Sequence, residues 1–229
     1  HYIYFGGSKL IQTGELSESF YARAGIVFTG VALAAAVLLT LSMRDPVIPG
    51  VFAAVAAAAL LYSMKPVQFS YHRLGEICIF LLFGPVSVAA GYFVRSTRIF
   101  SPAALLLSLP FGLLAVSVLF ANEIPDYSMD IKAGKKTLVS LAGPEKSYLL
   151  YSLFAALVVV AVVMNIIYGG LSEISLLVIF PAMFAYRSAL IQKRWYQEKR
   201  RMMASSRLAI RFQVLAGLLI LTDLLLTGG

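Results

Sequence analysis

Seven apolar stretches, each close to the ~20 residues an α-helix needs to cross a hydrocarbon core of about 30 Å, leave this chain few possible folds. They cover residues 20–42, 47–64, 74–94, 102–121, 148–168, 171–190 and 208–227. Runs such as Ala53 to Leu61 and Leu153 to Met164 are apolar on every face, which excludes the alternating pattern of a membrane β-barrel strand. With 60% hydrophobic and 13% charged residues in 229, there is more apolar surface than a soluble core absorbs. The expected fold class is an all-α polytopic membrane protein with seven transmembrane helices.

Charge gives an orientation, because short cytoplasmic loops carry the excess of Lys and Arg. Of the 19 basic residues only Arg44, Arg95 and Arg98 fall on one side of the expected topology. The others lie before the first span, around 65–73, in 122–147 and in 187–211, taken with the adjoining helix ends. The expectation is a multi-pass protein of the cytoplasmic membrane, with these loops and any chemistry in them toward the cytoplasm and the C-terminus outside. The net charge of +8 is spread over short loops between apolar spans. It is explained by topology and anionic lipid headgroups, so no nucleic-acid partner is expected. One cysteine, Cys78, and two histidines exclude an internal disulfide and a zinc site.

The loop between the fourth and fifth spans carries the densest chemistry. It reads Asn122-Glu123-Ile124-Pro125-Asp126-Tyr127-Ser128-Met129-Asp130, then Ile131-Lys132-Ala133-Gly134-Lys135-Lys136-Thr137. If the fourth helix continues through it, residues advance by ~100° each, which puts Asp126 near ~40°, Asp130 near ~80° and Glu123 near ~100° from Asn122. All four oxygen-bearing side chains then share one face. Three carboxylates crowded at a membrane edge repel one another and call for a cation. Hard oxygen ligands favour Mg²⁺, which commonly bridges one or two carboxylates to substrate phosphates. Lys132, Lys135 and Lys136 can hold the same phosphates as point charges.

A second segment, Tyr62-Ser63-Met64-Lys65-Pro66, leads through Ser70-Tyr71-His72-Arg73-Leu74-Gly75-Glu76 into the third span. Lys65 and Arg73 fall on the same side as the acids, and Glu76 opens an apolar helix where a carboxylate is costly unless partnered. A faint repeat relates Gly6 to Ser17 with Ala133 to Pro144: each passes from a small-Gly pair through a basic residue to a second Gly and then a helix. The basic stretch Gln192 to Arg211, with Trp195 and Tyr196, reads as an interfacial anchor.

The acidic segment with its Ala-Gly-Lys-Lys-Thr-Leu tail resembles the second aspartate-rich motif of UbiA-type intramembrane prenyltransferases. The runs Gly6 to Ser17, Ser70 to Glu76 and Phe83-Gly84-Pro85 are most similar to the 1,4-dihydroxy-2-naphthoate polyprenyltransferase branch. The resemblance implies a nine-helix bundle around a central cavity, with two aspartate-rich motifs holding Mg²⁺ and a prenyl diphosphate. Residues 1–229 would be one prenyltransferase domain lacking its first two helices and first motif. Carried over residue by residue, Asp126 and Asp130 become the catalytic Mg²⁺ carboxylates, with Asn122 and Glu123 opening the motif; Glu123 stands where Asp is usual. Lys132, Lys135, Lys136, Lys65, Arg73, Tyr62 and Glu76 become candidate substrate contacts. The partners implied are a polyprenyl diphosphate, an aromatic acceptor and the lipid bilayer, in menaquinone biosynthesis.

Rival readings are a family member acting on 4-hydroxybenzoate or a lipid alcohol, and a membrane transporter, since intramembrane charges and broken helices also mark transport paths. Against the transporter, the charges cluster at one membrane face. A CDP-alcohol phosphotransferase would need an Asp-Gly run continuing through Ala-Arg to further aspartates, and no such run occurs.

Overall fold

A computed structural model describes residues 10–11, 14–96 and 101–227. The sequence repeat around Gly6 to Lys9 therefore lies outside the described residues. Among those described, every regular element is helical, apart from one isolated bridge between two loops. Six helical segments are long and apolar enough to cross a membrane: Glu18–Met43, Gly75–Ser96, Pro102–Lys132, Ser147–Tyr168, Glu173–Trp195 and Lys199–Thr227. A seventh, Val47–Ser63, is apolar but has only 17 residues. The seven expected stretches thus become six spans and one shorter helix in an all-α polytopic membrane protein.

The chain divides into two compact units, the first ending at Gln68 and the second beginning at Phe69. The first holds α1 (Glu18–Met43) and α2 (Val47–Ser63). Ser17 caps α1 by accepting from the Phe20 amide at 3.1 Å, and α1 ends where Arg44 turns left-handed with φ 52°. Asp45 accepts from the Val47 amide at 2.8 Å, which restarts the chain as α2. That helix stops at Ser63 because Pro66 disfavours helical backbone at Lys65. It therefore falls short of the 18 residues expected for the second stretch.

In the second unit, α3 (Gly75–Leu81) passes through a π-helical turn at Leu82–Val86 into α4 (Ser87–Ser96). The turn carries Phe83-Gly84-Pro85 and absorbs Pro85, which lacks the N–H of a regular helix and clashes with the preceding turn. Next comes α5 (Pro102–Lys132), 31 residues long. Ser101 caps it from the Ala104 amide at 3.3 Å, with Pro102 in the first turn where no N–H is needed. Within α5, Pro110 cannot bond the Leu106 carbonyl, and Asn165 of α7 donates to that oxygen at 2.9 Å instead. A short α6 (Leu138–Ala142) follows, then α7 (Ser147–Tyr168), a 3₁₀ turn at Glu173–Val178, α8 (Ile179–Trp195) and α9 (Lys199–Thr227).

α5 is the central helix: α3, α7 and α9 pack on it, while α8 packs on α7 and α9. Phe120, Tyr151, Val158, Val162, Phe212 and Ile220 are fully buried between them. Polar groups in this core are paired where they fix a join. Asp223 of α9, fully buried, accepts from the Ser172 amide at 3.0 Å and from the Ser172 and Ser175 hydroxyls at 2.5 Å each. It thereby ties the start of the 3₁₀ turn to α9.

Gly84 and Gly112 allow the π-turn to lie against α5. A Cβ on Gly84 would stand 2.8 Å from the Ser108 carbonyl oxygen, and one on Gly112 would stand 2.7 Å from the Phe80 carbonyl oxygen. Both neighbours are backbone atoms that cannot rotate away. Gly84→Ala should therefore destabilise the bundle by about 1–3 kcal/mol, the usual cost of overpacking, read as a lower unfolding midpoint in detergent. Gly91→Ala, with open space around it, should leave the midpoint unchanged or raise it.

Candidate active site

The site is built at the C-terminal end of α5, where the helix does continue through the acidic segment to Lys132. The spacing argument therefore applies, and Asn122, Glu123, Asp126 and Asp130 lie along one face. Glu123 is 5% exposed, and Asn122, Asp126 and Asp130 are partly buried. Pro125, buried in the same stretch, removes the N–H that would bond the Ala121 carbonyl.

The chain folds back where the helix ends. Gly134 adopts φ 71°, a left-handed conformation that glycine tolerates without a Cβ penalty, and the Lys135 amide bonds the Asp130 carbonyl at 2.8 Å. This reversal returns the Lys135 side chain to the acidic face. Its ammonium lies 3.1 Å from Asp130 Oδ2 and 3.5 Å from Glu123 Oε1. One cation thus bridges two carboxylates seven residues apart.

A second connection holds the fold-back in place. The segment preceding α3 runs beside 136–138: the Arg73 amide donates to the Lys136 carbonyl at 2.7 Å, and the Lys136 amide donates to the Tyr71 carbonyl at 3.0 Å. Glu76, 3% exposed, accepts from the Leu138 amide at 2.6 Å. Its carboxyl also stands beside that of Glu123. Thr137 then starts α6 by accepting from the Ser140 amide at 3.2 Å. Glu76 is therefore engaged with backbone as well as facing the site.

Sequence reasoning gathered eleven candidates, and the structure distributes them unevenly. Glu76, Glu123, Asp130 and Lys135 meet directly, with Asn122 and Asp126 on the same face of α5. Arg73 and Lys136 contribute backbone to the loop bridge, while their side chains are exposed. Lys132 is exposed and lies ~160° around the helix from Asp130. Tyr62, half-buried at the end of α2, and Lys65, exposed just beyond it, belong to the first unit. The Leu138 amide and the Tyr71 carbonyl were missed. Backbone groups leave no signature in a sequence, although the unexplained cost of Glu76 pointed to some partner.

The donor chemistry suits a hard cation. Asn122 Oδ1 and Glu123 Oε2 are buried and have no hydrogen-bond partner among the described residues, an expensive state unless something else satisfies them. Among the described residues, no group of three or more His, Cys, Asp or Glu side chains closes around a metal position. An ion that uses one or two carboxylates and completes its shell with water and substrate phosphates fits such a site, and Mg²⁺ behaves in this way.

Comparison with known proteins gives several partial matches. The chain is 34% identical to the 1,4-dihydroxy-2-naphthoate octaprenyltransferase of Mycobacterium tuberculosis over 120 residues, 52% of this chain and 40% of that protein. It is 36% identical to the enzyme of the same name from Haemophilus influenzae over 97 residues, 42% of this chain and 30% of that protein. It is 35% identical to UbiA prenyltransferase domain-containing protein 1 of Dictyostelium discoideum over 91 residues, 40% of this chain and 27% of that protein. The matched stretches thus span well under half the length of these relatives. No solved structure matches. The UbiA prenyltransferase family itself matches over residues 9–213, nearly the whole chain, and the chain belongs to that family.

Proposed function

We propose that this chain is the larger part of a single intramembrane prenyltransferase domain, which transfers a polyprenyl group from its diphosphate to an aromatic acid. The observation that carries the reading is Lys135, folded back onto Glu123 and Asp130 beside the unpartnered oxygens of Asn122 and Glu123. Positive charge and oxygen ligands stand together there, as a diphosphate and its counter-ion require. Asn122, Glu123, Asp126 and Asp130 would hold Mg²⁺, which would supply Lewis-acid neutralisation of the departing diphosphate.

The remaining work falls to the chain's own residues. Lys135 and Lys136 offer ammonium groups to phosphate oxygens as the allylic carbon–oxygen bond breaks, so charge developing on the leaving group meets prearranged positive charge. An apolar pocket of about 430 Å³ lies deeper along α5, lined by Phe83, Phe111, Leu114, Val214, Leu218 and Leu221 among others. Phe111 is on the helical row of Asn122, ~16 Å away along the axis. The pocket's apolar lining suits the distal part of the prenyl tail. An electron-rich ring carbon of the acceptor then forms the new carbon–carbon bond. We place the site toward the cytoplasm, following the distribution of basic loops.

For the acceptor, the reading is 1,4-dihydroxy-2-naphthoate, whose carboxylate leaves as carbon dioxide during transfer. Support comes from the Ser70 to Glu76 and Phe83 to Pro85 runs and from relatives that bear this acceptor in their names.

Full-length enzyme supplied with Mg²⁺ tests the site. Asp126→Ala, Asp130→Ala and Lys135→Ala should each lower prenyl transfer by ~10²-fold or more, as electrostatic groups typically do. Lys132→Ala, on the far side of the helix, should cost little. Near-normal turnover by all three site variants would remove the assignment. A competition assay scored by product mass tests the acceptor: 1,4-dihydroxy-2-naphthoate should be prenylated with release of carbon dioxide, and 4-hydroxybenzoate should give little product. The reverse preference would overturn the acceptor reading and leave prenyl transfer standing.

A further inference from the structure

A groove of about 460 Å³ runs between α8 and α9. Its walls include Leu177, Phe180, Met183, Phe184, Leu215 and Leu219, with Arg187 the one charged residue in the lining among the described residues. Leu177, Phe180, Met183 and Leu215 are exposed, so the groove is open along its length. Arg187 is exposed too, and among the described residues no carboxylate lies within ion-pairing distance of it. Arg211 stands one turn before Leu215 on the row that continues to Leu219, and it is likewise exposed and unpaired with any described carboxylate.

Depth makes Arg187 unusual. The end of α8 is marked by Trp195, whose ring centroid lies 3.3 Å from the Arg201 guanidinium and 5.0 Å from that of Arg194. This amphipathic cluster suits the headgroup level. Arg187 sits eight residues before Trp195, about 12 Å down the helix axis. A cation at that depth is costly in hydrocarbon unless it meets an anion or reaches upward along its stem.

We infer that the α8–α9 groove binds an anionic glycerophospholipid of the bilayer, its phosphate held by Arg187 and one acyl chain laid along the apolar walls. A guanidinium pairs with a phosphate through two parallel hydrogen bonds, which compensates the buried charge. The lining holds no acid to receive the ammonium of a zwitterionic headgroup, so net negative lipids are preferred. The prenyl diphosphate is a poorer occupant, because α5 and its acidic face contribute nothing to this lining.

The test uses the full-length protein in nanodiscs containing phosphatidylglycerol or phosphatidylcholine, each with a photoactivatable group on one acyl chain. Phosphatidylglycerol should label peptides containing 177–187 and 215–219 in preference to phosphatidylcholine. Arg187→Gln should reduce that preference by about fivefold, the share of one arginine in anionic-lipid attraction, and Arg187→Lys should retain most of it. Met183→Trp, which fills the groove without changing charge, should abolish labelling by both lipids at these peptides. Equal labelling by the two lipids would overturn the proposal. So would absence of labelling, as when another segment of the full-length chain covers the groove, or displacement of the label by micromolar prenyl diphosphate.

Discussion

A 2.6 Å hydrogen bond from the Leu138 amide to Glu76 is the constraint on which the candidate site depends. The acids of α5 are placed by the helix itself, but Lys135 lies beyond the helix end, held locally by short-range backbone bonds such as that of its amide to the Asp130 carbonyl, and its loop needs a partner beyond them to keep its course. Sixty-two residues separate the partners of this bond, and the Arg73–Lys136 and Lys136–Tyr71 backbone bonds run alongside it. Together they fix residues 133–138 at both edges. An unpaired amide at this depth would cost about 1–3 kcal/mol, which sets the scale of what Glu76 contributes to the loop.

The same bond brings a further acid to a place already rich in them. Glu76 stands beside Glu123, and Asp126 and Asp130 follow on the same helix face. Lys135 is the cation that pairs with Glu123 and Asp130 in this cluster. One lysine against several acids leaves room for additional positive charge, and the unpartnered oxygens of Asn122 and Glu123 are where an ion would find ligands. Acids gathered in this way stabilise the protein poorly, and the proposed metal and diphosphate would be what offsets them.

Much of this was legible in the sequence because it follows from simple periodicities. Spans of about 20 apolar residues located the seven long apolar helices, but α5 runs on well past its apolar stretch to Lys132, α9 starts well before its own at Lys199, and the short α6 gave no such signal. The 3.6-residue period placed Asn122, Glu123, Asp126 and Asp130 on one face before any coordinates. The same period places Lys132 away from that face, although its position beside Lys135 and Lys136 in the chain suggested a shared role. Proline chemistry was harder to read. Pro66 cut α2 short, Pro85 was absorbed by a π-turn, and Pro110 was tolerated within α5 because Asn165 satisfies the Leu106 carbonyl. Asp223 gave no functional signal of its own, and its role in joining the 3₁₀ turn to α9 depends on two serines some fifty residues away. Contacts between distant segments, Glu76 with Leu138 above all, depend on tertiary folding that no local pattern encodes.

The most direct measurement of this arrangement is tryptic cleavage after Lys135 and Lys136 in full-length protein carrying Glu76→Ala or Glu76→Gln. Gln keeps a carbonyl oxygen that can accept from the Leu138 amide, and Ala does not. If Glu76 holds the loop against the acidic face, Glu76→Ala should be cut at least about tenfold faster than wild type, as loss of a bond worth ~1.5 kcal/mol implies, with Glu76→Gln close to wild type. Equal cleavage rates in all three proteins would contradict the account.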